Sequence, residues 1–135
     1  SAIVTGQYGG VDPDNIPYVT TSMPIRPDGS YGIGKVFGEA TGRHFSDRHG
    51  LSVICLRIGT LNRESRPLSV RHFATLLTHR DLVHLVDRSI QAPLEIKFGI
   101  FYGVSNNKWR IWDISNSRDS IGYNPQDNSE EWRER

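Results

Sequence analysis

The chain has 135 residues, 36% of them hydrophobic and 23% charged, which suits one modest folded core and lies outside the apolar-poor, charge-rich range of disorder. The net charge of +1 comes from intermixed signs without a basic stripe, so nucleic acid is not an expected partner. No apolar run approaches the roughly 20 residues of a membrane span and no basic-then-apolar leader opens the sequence, so a soluble protein with no membrane partner is expected.

Residues 1–5 read as the end of a strand, and the glycine, proline and aspartate of the first thirty residues, with Tyr8-Gly9-Gly10 and Arg26-Pro27-Asp28-Gly29, read as a long loop. Residues 30–49 turn helical: Ile33, Val36, Phe37, Ala40, His44 and Phe45 recur every three or four positions as one apolar stripe. Ser30 is placed to cap this helix and Gly50 to end it. Residues 51–58 follow as a largely buried strand with Arg57 its one exception, so helix and strand together make an α/β unit. Cys55, the sole cysteine, sits inside that run as a small hydrophobe; no internal disulfide is possible, which fits a cytoplasmic location.

A polar loop carrying Arg63, Arg66 and Pro67 leads to residues 70–78, which are too short to assign by periodicity. A second helix is predicted from Thr78 or His79 to about Gln91, burying Leu82, Val83, Leu85, Val86 and Ile90 and stopped by Ala92-Pro93. Residues 96–104 alternate as a strand, Ser105-Asn106-Asn107 is a turn, and residues 111–117 are ambiguous, with a short helix one option. Residues 122–135 read as a turn running into a solvated helix. No internal repeat appears. His79 and His84, five apart, do not share a helical face as a zinc pair would, and the three tryptophans fit packing better than ligand stacking.

Tyr31 and Lys35 lie four apart on the first helix, so their side chains leave the same face one turn apart. An ammonium beside a phenol favours the phenolate and makes it a better base near neutral pH. The spacing alone also arises by chance on solvent-facing helices. Gly34, Gly38 and Gly42 add a glycine line to that helix, at a cost of about 1 kcal/mol each relative to alanine, which admits a cofactor, another helix or the chain's own sheet.

The succession Ser-Ala-Ile-Val-Thr-Gly at residues 1–6, a proline-marked loop, Ser30-Tyr31-Gly32-Ile33-Gly34-Lys35, and the strand ending Leu56-Arg57-Ile58-Gly59 resembles the extended short-chain dehydrogenase/reductase (epimerase/dehydratase) superfamily. The segments Val70-Arg71-His72-Phe73-Ala74-Thr75-Leu76-Leu77-Thr78, Phe101-Tyr102-Gly103-Val104-Ser105-Asn106-Asn107 and Ile121-Gly122-Tyr123-Asn124-Pro125-Gln126-Asp127 are similar to the uronate dehydrogenases within it. The resemblance implies an α/β fold, the carboxy-terminal half of a Rossmann-like doubly wound parallel sheet with a small substrate-binding lobe. On that basis residues 1–135 form one partial domain, 1–60 carrying the catalytic helix and strand and 61–135 the substrate-binding part.

The resemblance further implies that Tyr31 is the acid/base, that Lys35 orients the nicotinamide ribose and lowers the tyrosine pKa, and that Ser1 polarises the substrate oxygen. Ile58 is implied beside the cofactor, Thr60 beside the substrate, and Arg71 on a sugar-acid carboxylate, which its guanidinium fork suits. NAD or NADP is the implied cofactor, a sugar or sugar acid the substrate, and a homodimer through the Tyr31–Lys35 helix the assembly. The glycine-rich strand–turn–helix that binds dinucleotides is not found in the 135 residues, and an amino-terminal half before Ser1 is expected to supply it. Ala2 and Ile3 stand where uronate dehydrogenases have polar residues, and Gly34 where the family commonly has serine. The alternatives are a nucleotide-sugar epimerase or dehydratase and a non-catalytic binding module.

Overall fold

A computed structural model describes residues 18–133; the expected strand at residues 1–5, the Tyr8-Gly9-Gly10 cluster and Ser1 lie outside the described residues. The element order is α1 (Ser30–His49), β1 (Val53–Ile58), α2 (His72–Thr75), α3 (His79–Ile90), β2 (Phe98–Gly103) and α4 (Ser115–Ile121), followed by a short 3-10 helix at Ser129–Trp132. β1 and β2 pair in parallel, Val53 opposite Phe98 through to Ile58 opposite Gly103. A parallel pair needs a crossover, and α2 with α3 provides it.

Strand side chains alternate between faces, and the two faces meet different helices. Val53, Cys55 and Arg57 face α1: a Cβ built on Gly42 would lie 2.9 Å from Val53 Cγ1 and 3.8 Å from Cys55 Sγ. Ile54 and Leu56 face the other way, into a core of Leu85, Phe101, Ile121 and Tyr123. A second core gathers Val19, Tyr102, Val104, Trp112 and Ile114 around the end of β2, where Val19 bridges Trp112. Helices on both faces of a parallel sheet make the arrangement the α/β, doubly wound one.

The structure corrects several boundaries and faces. Ser30 is the first helical residue of α1 rather than its cap; Gly29 holds the cap position and no side chain caps it, whereas Gly50 ends the helix in the left-handed conformation as expected. Most of the apolar stripe of α1 is left exposed, with Val36 half-buried. Gly32 and Ser46 are the buried residues of the helix, while Ile33, Phe37 and Phe45 are 60%, 73% and 45% exposed. A stripe of apolar residues reports a face that some partner can cover, not that the chain's own sheet covers it.

β1 is shorter than residues 51–58 and mostly half-buried, and its fully buried member is Arg57. On α3 only Leu85 of the five predicted core residues is fully buried; Val83, Val86 and Ile90 are exposed, and Asp81 is buried instead. The tail is not a solvated helix. Asp81 accepts from Gln126 N at 2.7 Å and Asp127 N at 3.1 Å, and buried Tyr123 donates its hydroxyl to Val104 O at 2.9 Å. Burial pushes the Tyr123 phenol far up, so it stays a neutral donor. Among the described residues no helix is long and apolar enough to cross a membrane.

Candidate active site

The position of Tyr31 and Lys35 follows from how α1 is fixed along the sheet. Near the helix end, Ser46 Oγ donates to Lys97 O at 2.8 Å, at the start of β2. One turn earlier Gly42 lies over Val53 and Cys55. Glu39 then receives both forks of Arg57, from Nε and Nη2, each at 2.9 Å, one residue before β1 ends. Lys35 and Tyr31 continue along the same side, about 6 and 12 Å further at 1.5 Å per residue. They therefore stand beyond the carboxyl end of the sheet, where ligands of open α/β folds sit.

There the Lys35 ammonium lies over the Tyr31 ring, 5.0 Å from its centroid, and Tyr31 is 63% exposed. The pair brings a phenol and an ammonium together on one exposed face of α1. Behind it, Arg57 is 1% exposed and also donates to the Tyr102 hydroxyl at 3.2 Å. Burial works against the guanidinium charge, but the hydrogen bond and charge of Glu39 outweigh it and push the Arg57 pKa up. Burial, then the Glu39 charge, push the Cys55 thiol up, which keeps it un-ionised and poorly nucleophilic.

A second cluster lies at the same end of β1. Ile58 closes the strand, half-buried, and the chain crosses over α2. A Cβ on Gly59 would meet Thr75 O at 2.3 Å and Trp112 Cζ3 at 3.0 Å, so only glycine permits this crossing. Thr60 then bridges Leu76, with its amide donating to Thr75 O at 2.7 Å. Its hydroxyl lies 2.7 Å from Thr75 Oγ1, which donates to Arg71 O at 3.2 Å. Because Thr75 has a single hydroxyl proton, Thr60 donates to Thr75 and keeps its remaining lone pairs as acceptors. The Arg71 guanidinium is exposed and unengaged among the described residues.

The structure thus joins Tyr31 to Lys35, and Thr60 to Arg71 through Thr75. No described hydrogen bond or ring contact links the two clusters, and Ser1 lies outside the described residues. Sequence reasoning missed Glu39, Thr75 and the ligation of Arg57. A signal for the first was present: Glu39 follows Lys35 by four residues, and an arginine inside an apolar strand demands a carboxylate. A cavity of about 420 Å³ runs along the outer edge of β2 past Glu95, Phe98 and Asn116, at the amino end of the sheet and away from both clusters.

No family model matches the sequence. Among curated proteins the chain is 39% identical over 113 residues to the NAD-dependent glucose-6-phosphate dehydrogenase of Haloferax volcanii, covering 83% of this chain and 42% of that protein. It is 36% identical over 115 residues to the uronate dehydrogenase of Pseudomonas putida, covering 85% and 41%. Among solved structures, the uronate dehydrogenase of Agrobacterium tumefaciens superposes with a TM-score of 0.79 at 32% identity, over 85% of this chain and 42% of that one. A tyrosine-to-alanine variant of that enzyme complexed with NAD superposes equally well, at 31% identity. The chain spans about two fifths of the length of the relatives it matches. Sequence identity, a shared parallel α/β framework and the Tyr31–Lys35 helix at its carboxyl end together mean that the chain belongs to the extended short-chain dehydrogenase/reductase superfamily, in its uronate dehydrogenase-like branch.

Proposed function

We propose that the protein containing this chain is an NAD(P)-dependent oxidoreductase that oxidises a sugar or sugar acid, and that this chain supplies the acid/base pair and one wall of the substrate site. The observation that carries the reading is the Lys35 ammonium over the Tyr31 ring, held past the carboxyl end of a parallel sheet by the Glu39–Arg57 pair. NAD is favoured because the Haloferax relative is named for it and the Agrobacterium structure contains it. The relatives' named substrates are a phosphorylated aldose and uronates, which keeps both within the reading.

The residues present fit the nicotinamide end of such a cofactor. Exposed Lys35 offers three donors to ribose hydroxyls, and Ile58 offers an apolar contact at the strand end. The cofactor, when bound, accepts the hydride. Tyr31 takes the proton of the substrate hydroxyl, Lys35 keeps the resulting charge pattern favourable, and Thr60 accepts a hydrogen bond from a neighbouring hydroxyl. Arg71 holds the anionic group of the substrate, and Ser1, by its place in the resemblance, polarises the reacting oxygen.

The exposed α1 residues Ile33, Phe37 and Phe45, and the open space in front of Gly34 and Gly38, support a homodimer closed across this helix. The cytoplasm is the proposed location, on the use of a single cysteine, Cys55, in the 135 residues. The test is oxidation of a panel of aldoses, aldose phosphates and uronates by the intact protein with NAD or NADP. Reduced cofactor is expected to form one-for-one with oxidised sugar. No reduction with any member of the panel contradicts the reading.

A further inference from the structure

Segment 61–71 is held by polar contacts that leave its guanidinium groups unused. Asn62 Nδ2 donates to Arg66 O at 2.8 Å, and Asn62 Oδ1 accepts from Arg66 N at 3.3 Å. The segment is also tied to the start of α3: His79 N donates to Ser65 Oγ at 2.9 Å, and His79 Nε2 lies 2.7 Å from Asn62 O. Leu68 N donates to His72 Nδ1 at 3.0 Å. Between Arg63 and Arg66, Ser65 adopts a φ of 53°, a left-handed conformation that costs a non-glycine residue and persists because these contacts impose it.

Arg43, Arg57, Arg80 and Arg133 each bind a carboxylate. The side chains of Arg63, Arg66 and Arg71 are exposed and make no such contact among the described residues. Glu64 is the only carboxylate among residues 61–71, so three arginines stand against one acid. Both ends of the segment are tied to the carboxyl end of β1: Thr60 continues the strand, and Arg71 O accepts from Thr75 Oγ1, which lies 2.7 Å from Thr60 Oγ1. A fixed backbone bearing unpaired guanidinium groups at the ligand end of the fold is preorganised for an anion.

The number of these groups distinguishes anions. A carboxylate carries one charge on two oxygens, which a single fork such as Arg71 satisfies. A phosphate monoester carries nearly two charges on three oxygens and uses more than one guanidinium. We propose that segment 61–71 is the anion-binding wall of the substrate site and that it selects a phosphorylated sugar over a uronate. This rests on the dehydrogenase reading above; the phosphate is a spectator, held while the sugar hydroxyl loses its proton to Tyr31 and its hydride to the nicotinamide.

The test measures kcat/KM of the intact protein with NAD for glucose 6-phosphate, glucuronate and glucose, in the wild type and in the double variant Arg63→Ala, Arg66→Ala. The wild type is expected to favour glucose 6-phosphate over glucuronate by about tenfold or more, the scale of one extra charge-assisted contact. The double variant is expected to erase that preference by raising KM for glucose 6-phosphate about tenfold or more, with its melting temperature retained. Glucuronate oxidised as well as or better than glucose 6-phosphate, or a double variant that keeps the preference, overturns the proposal and leaves the dehydrogenase reading intact. Absence of activity on all three sugars overturns the proposal, and the dehydrogenase reading then falls only if the wider panel of aldoses, aldose phosphates and uronates is inactive as well.

Discussion

Arg57 shows what a single residue contributes beyond its own strand. A guanidinium at 1% exposure is tolerated because Glu39 neutralises it through two 2.9 Å bonds and Tyr102 takes a third donor. The pair also fixes α1 against β1 one turn below Lys35, so it is a positioning contact for the candidate acid/base. Replacing Glu39 by alanine leaves the charge buried and unpaired, and is expected to cost about 3–5 kcal/mol of stability in denaturant unfolding of the intact protein. A loss under about 1 kcal/mol would mean that water reaches the guanidinium. The arginine was legible in the sequence as an anomaly in an apolar run. Its need for a carboxylate was legible as well, but not that Glu39 alone meets it, because the two residues are 18 positions apart and only the packing of helix on strand brings them together.

At the scale of elements, periodicity and glycine positions delivered the helix–strand order, and they failed where the partner surface decides. Ile33, Phe37 and Phe45 form the expected stripe, yet Gly42, Ser46 and Glu39 meet the sheet instead. The tail defeated the pattern for another reason: its attachment to Asp81 uses backbone N–H groups of Gln126 and Asp127, which side-chain chemistry does not announce. Glycines divide in the same way. Nothing lies within 4 Å of a Cβ on Gly38, so as far as this chain's own packing decides, Gly38→Ala is expected to stabilise α1 by up to about 1 kcal/mol. Gly59→Ala drives a methyl to 2.3 Å from Thr75 O and is expected to lower the melting temperature and displace the Thr60–Thr75–Arg71 chain. Thermal melts of the two variants should move in opposite directions.

For the whole molecule, an α/β unit was readable from the helix and the strand that follows it, and the parallel doubly wound sheet from the family resemblance, whereas the end of the sheet that holds the candidate site emerged only from the register of α1 against β1 and β2. The exposed face of α1 carries the proposed dimer. Phe37→Asp, placing a charge on a side chain 73% exposed here, is expected to shift the intact protein from dimer to monomer in light scattering without loss of folding. An unchanged dimer would move the interface elsewhere. The central claim is that Tyr31 transfers the substrate proton, and the most direct measurement is NAD reduction by the intact protein carrying Tyr31→Phe, alongside cofactor binding by the same variant. The account predicts a fall in kcat of about 100-fold or more with binding of NAD retained; a variant that binds NAD and turns over at the wild-type rate would contradict it.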